Sequence, residues 1–152
     1  SGTGHNNELF DFAFQSDGKI VAVGITNNAS NDQDVVVIRL NSNGSFDSNF
    51  GSGGIVRLDL GSNIDSATSV AIDANGKILI AGNTQHNGNL APAVIRLNSN
   101  GARDISFGNN GVFLQPFSGK DAYIYNVKIQ SDGKIITAGR VEFEALVMRH
   151  LP

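Results

Sequence analysis

Gln15-Ser16-Asp17-Gly18-Lys19-Ile20 returns letter for letter as Gln130-Ser131-Asp132-Gly133-Lys134-Ile135, and a variant, Asp73-Ala74-Asn75-Gly76-Lys77-Ile78, lies between them. The central glycines at 18, 76 and 133 stand 58 and 57 residues apart. A second block keeps the step. Val37-Ile38-Arg39-Leu40-Asn41-Ser42-Asn43-Gly44 recurs as Val94-Ile95-Arg96-Leu97-Asn98-Ser99-Asn100-Gly101. Such a period marks a repeat architecture, in which each unit buries its apolar faces by packing on its neighbours.

Around each glycine the chain reads as strands. Before it, β-branched and aromatic residues alternate: Phe10, Phe12, Phe14; Thr68, Val70, Ile72; Tyr125, Val127, Ile129. The Asp-Gly or Asn-Gly pair predicts a type I′ hairpin turn, with positive φ at both central residues. A second strand follows over 19–24, 77–82 and 134–139. Its apolar residues are nearly continuous, which predicts cover on both faces. After a loop of variable length, a third strand is expected over 34–40, 91–97 and 145–151. A fourth is expected over 55–60 and 112–117. Gly or Asn interrupts every candidate helix. The expected fold is all-β: about three four-stranded antiparallel sheets arranged as β-propeller blades, the last lacking its outer strand. The 152 residues then form one repeat domain, with blades near 6–60, 66–117 and 123–151.

Phe46-Asp47-Ser48-Asn49-Phe50-Gly51 and Arg103-Asp104-Ile105-Ser106-Phe107-Gly108 also match in register. Taken in order, the three motif blocks resemble the delta-sixty repeat family over essentially residues 6–151. That resemblance implies a propeller of unassigned biochemical function and a bacterial parent, often exported or surface-attached. It brings no catalytic or binding residue with it.

Composition agrees with a turn-rich β protein: 18 glycines, equally many asparagines, and only 16% charged residues. A net charge of −3 offers no footprint for nucleic acid, and no apolar run approaches the roughly 20 residues that span a bilayer. The opening Ser1-Gly2-Thr3-Gly4 reads as a cloning remnant or an internal cut. Cysteine is absent, so disulfides and thiolate metal sites are excluded, while the compartment stays open.

No catalytic, cofactor or metal residue is assigned, and no enzyme is expected. There is no Gly-x-Ser-x-Gly elbow, phosphate loop or His-Glu-x-x-His. His5, His86 and His150 share no repeat position and are expected on the surface. Asn41–Asp47 fits a turn better than a calcium loop, and its twin carries Ala102 in place of Ser45. Asn31-Asp32-Gln33-Asp34 has no acidic counterpart in the second copy, which leaves a single-site role open. Arg39, Arg96 and Arg149 recur amid apolar strands, with Asp47 and Asp104 beyond the first two. A structural Arg–Asp contact in each blade is favoured over a ring of arginines around a ligand. With no tryptophan, and with Tyr123 and Tyr125 expected to face inward, a lectin has little support. Function is expected to be that of a non-catalytic scaffold or binding module. A glycan-binding module and an enzyme with a site at the propeller centre are the alternatives. Three blades do not close a ring, so the partner is expected to be a second copy, giving six blades, or the remainder of a longer propeller.

Overall fold

The computed structural model describes residues 7–151, all strand, turn and loop, with no helix. Eleven strands run in chain order. The first sheet holds β1 (Asn7–Phe14), β2 (Ile20–Asn27), β3 (Gln33–Leu40) and β4 (Ile55–Leu58). The second holds β5 (Asp65–Ile72), β6 (Ile78–His86), β7 (Asn89–Leu97) and β8 (Val112–Leu114). The third holds β9 (Ala122–Ile129), β10 (Ile135–Val141) and β11 (Glu144–His150). Each sheet is an antiparallel meander in chain order, and the third has three strands. These are propeller blades, the architecture that the phased repeats predict.

Two apolar layers join the three blades. Val21, Val23, Val35, Val37 and Phe50 of blade 1 pack on Val70, Ile78, Ile80, Ile95 and Leu97 of blade 2. Leu79, Ala81, Val94 and Phe107 of blade 2 pack on Ile124, Val127 and Ile135 of blade 3. Strand β6 serves both layers with alternate residues, so Ile78 through Thr84 are all buried. Period-two geometry makes this possible, because successive side chains leave opposite faces of the sheet.

The end blades depart from the expectation. Ile78 and Ile135 are buried, but Ile20 is only half-buried. All three face the preceding blade, and among the described residues none lies before blade 1. On that open face Phe12 and Phe14 are 60% and 67% exposed, their rings edge to face at 5.7 Å. Blade 3 is open on its other side, where Val147 is 70% exposed.

Two local corrections have one cause. The first strands do not alternate throughout. Each carries a β-bulge that places Phe10, Thr68 and Tyr125 out of register. Opposite each bulge sits Gly24, Gly82 or Gly139. A Cβ there would lie 1.8 Å from the carbonyl oxygen of Glu8, Ser66 or Tyr123. These glycines admit the bulge and do not end their strands, which continue to Asn27, His86 and Val141.

Candidate functional site

The glycines at 18, 76 and 133 have φ of +82°, +76° and +82°. Asp17, Asn75 and Asp132 do not have positive φ, so the predicted type I′ turn is not formed. Gly18 N–H donates to Gln15 O at 3.0 Å, and Gln15 N–H donates to Lys19 O at 2.8 Å. That pattern is a type I turn followed by a left-handed bulge glycine. The type I′ pair lies elsewhere, at Asn87-Gly88 between β6 and β7, with φ of 50° and 85°.

Arg39 and Arg96 each anchor a buried cluster. Arg39 Nε donates to Asp47 Oδ2 at 2.9 Å, and Arg96 Nε donates to Asp104 Oδ2 at 2.8 Å. The aspartates also fold the loops that follow them. Asp47 Oδ1 accepts from Asn49 N, and Asp104 Oδ1 accepts from Ser106 N and Oγ. Those turns bring the Phe50 and Phe107 rings under the guanidinium groups, 4.5 Å from carbon to ring centre in both blades. The hairpin lysines join in, Lys19 at 3.7 Å from Asp47 and Lys77 at 2.5 Å from Asp104. The hydrogen bond from Lys77, then those from Ser106, hold the Asp104 carboxyl well below the ordinary carboxylate range against the opposing effect of burial. For Asp47 the lowering comes first from the Asn49 N–H, then from Arg39 and Lys19. Arg149 stands at the equivalent place in β11 but is exposed and makes no ion pair among the described residues.

These clusters also connect blades. Arg39 Nη1 donates to Ser99 O, and Gly51 N–H to Asn100 O at 3.1 Å, so the blade 2 turn seats on blade 1. Nearer the first strands a second link repeats. Asp11 Oδ2 accepts from Ser69 Oγ at 2.8 Å and Val70 N at 2.9 Å. One blade on, Ser69 Oγ accepts from Val127 N at 3.3 Å. Asn126 holds the same register in blade 3, and it is exposed.

Among the described residues, His86 and His150 share no metal-binding group. His5 lies outside the described residues, and His86 is half-buried at the end of β6. His150, expected on the surface, is instead buried against blade 2. Its Nε2 is 3.2 Å from Thr137 Oγ1 and its ring 4.5 Å from that of Phe113. Burial pushes its imidazole below the ordinary 6.5. The tyrosines also correct the sequence reading. Tyr125 bulges onto the open face of blade 3 and is 50% exposed. It stacks on Tyr123 at 6.3 Å, and Arg140 lies 4.6 Å from the Tyr123 ring centre.

Two stretches, residues 15–50 and 74–107, match the family described as Domain of unknown function (DUF5122) beta-propeller. Both run from the hairpin turn to the phenylalanine beneath the arginine, so the family model covers the Arg–Asp–Phe cluster of blades 1 and 2. Among curated proteins nothing matches the chain. The chain is thus similar, in two of its three blades, to a β-propeller repeat of unknown function.

Proposed function

We propose that this chain is a non-catalytic scaffold segment of a propeller, and that its two open faces are covered by further blades, supplied in solution by a second copy. The carrying observation is that the contacts between blades run one way and repeat. Asp11, Ser69 and Asn126 occupy one register, and Arg39, Arg96 and Arg149 another. In blades 1 and 2 these side chains lie against the following blade. In blade 3 the same positions are exposed beside Val147, and blade 1 presents Phe12 and Phe14 to whatever precedes it. Apolar faces of this kind are uncommon on soluble monomers. A symmetric dimer covers both at once, blade 1 of each copy on blade 3 of the other, and six blades lie within the range of closed propellers. The likeness to delta-sixty repeats adds a bacterial, exported or surface-attached parent to this reading. Light scattering at micromolar concentration tests it. The expected mass is twice 16.0 kDa, with an interface well above about 1,000 Å². A mass of 16.0 kDa at every concentration contradicts the self-assembled ring and leaves the remainder of a longer propeller as the cover.

One observation favours a second reading. Tyr123, Tyr125 and Arg140 form a stacked aromatic and cationic patch on the open face of blade 3, the kind of surface on which sugar rings lie. Because a further blade would cover this patch, the two readings compete for it. Tyrosine fluorescence during titration with glycans decides between them, since the chain has no tryptophan. A saturable change lost in Tyr125→Ala supports the glycan reading, and a flat response removes it.

A further inference from the structure

The junction between blades 1 and 2 contains a buried carboxylate oxygen left without a partner among the described residues. Asp34, in β3, is 7% exposed, and its Oδ1 has no hydrogen-bond partner there. Its carboxylate meets those of Asp59, just after β4, and Asp65, at the start of β5, with one oxygen of each within 4.8 Å of the others. Among the described residues no ion pair involves any of the three. Arg57 is the cation acting on Asp34, and it lies beyond ion-pair distance. Burial, then the charges of Asp59 and Asp65, push the Asp34 carboxyl above its ordinary range. Asp65, fully buried, is held in place by neutral donors: Leu60 N at 2.7 Å, Ser62 Oγ at 2.6 Å and Thr84 Oγ1 at 2.5 Å.

Buried charges in proteins are paired or coordinate a metal, because an uncompensated one is costly. The next junction shows that the fold does not need these acids. One repeat on, the three positions are Ala91, Pro116 and Ala122, and both alanines are buried in a well-packed interface. So Asp34, Asp59 and Asp65 replace an apolar solution that serves blades 2 and 3. Oxygens within 4.8 Å suit a cation bound at about 2.3–2.6 Å, the calcium distance. The donors are all hard oxygen, with Asp59 exposed and open to water as further ligand.

We infer that Asp34, Asp59 and Asp65 form a calcium site that clamps blade 1 to blade 2 across the connection from β4 to β5. The inference is independent of how the end faces are covered. Calorimetric titration of the metal-stripped chain with calcium chloride tests it, with Asp34→Asn and Asp59→Asn in parallel and a melting curve for each with and without the ion. The expected result is saturable binding that is at least about tenfold weaker in each variant. Calcium raises the melting temperature of the parent chain alone. Without metal, Asp34→Asn melts at or above the parent, since it removes an unpaired buried charge. Three results overturn the site: no binding up to about 10 mM calcium, variants that bind like the parent, or an Asp34→Asn that melts well below the parent in metal-free buffer. Tighter binding of magnesium than of calcium overturns the choice of ion.

Discussion

Blade 2 and blade 3 carry variants of one hairpin motif and differ in what lies beside them. In blade 2 a neighbour covers each face, and β6 is buried from Ile78 to Thr84. In blade 3 only one face is covered, and Ile136, Ala138 and Arg140 of β10 are left half-buried or exposed. The arginine at one strand register is buried in a pair at 96 and exposed at 149. The repeat therefore specifies which way a side chain points, and the adjacent blade decides what that direction is worth.

Truncation at equivalent isoleucines probes this difference most strongly. Ile78→Ala removes a fully buried side chain and should cost about 2–5 kcal/mol in a denaturant titration. In the dilute, monomeric chain, Ile20→Ala, on the open face of blade 1, should cost less than half as much. Equal losses at that dilution would contradict the missing neighbour as the source of the difference. The arginines come next. Arg96→Ala leaves the buried Asp104 with Lys77 and the Ser106 donors and should destabilise by about 3 kcal/mol, whereas Arg149→Ala should stay within about 0.5 kcal/mol. Similar values for the two would contradict the clusters as the blades' internal anchors. Gly76→Val should lower stability by about 1–2 kcal/mol, because φ is +76° where a β-branched residue is strained. A neutral melting temperature would count against the left-handed bulge glycine.

The smallest effect is acid dependence. Burial depresses the His150 imidazole, so the folded state binds its proton more weakly than the unfolded chain does. This contribution to stability is fully present above about 6.5, and it declines as pH falls below that toward the depressed folded value. Comparing the chain with His150→Gln between pH 7 and 5 should show a shallower slope in the variant. An unchanged slope would place His150 in solvent, on the open side of β11.

The fold was legible because period-two patterning and the turn glycines recur in phase, and blades follow from that. The Arg–Asp contact was legible for the same reason, since Asp47 and Asp104 recur eight residues after Arg39 and Arg96. What was hidden depends on events without a pattern of their own. A bulge at Phe10, Thr68 and Tyr125 keeps the letters alternating while moving the side chains, so the pattern alone points Tyr125 inward. The burial of His150 needs Phe113 from another blade. Asp34, Asp59 and Asp65 are scattered along the chain and have no acidic counterpart one repeat on; only the folded junction assembles them.

Radical footprinting across a dilution series tests the central claim most directly, because it reads the two kinds of face in one sample. Phe50 is fully buried between blades 1 and 2, whereas Phe12, Phe14 and Tyr125 lie on the open faces. The account predicts that Phe50 resists labelling at every concentration. Phe12, Phe14 and Tyr125 should be shielded when the chain is concentrated and become labelled together on dilution. Labelling of those three that does not change with concentration would contradict the claim that a second copy supplies the missing neighbour.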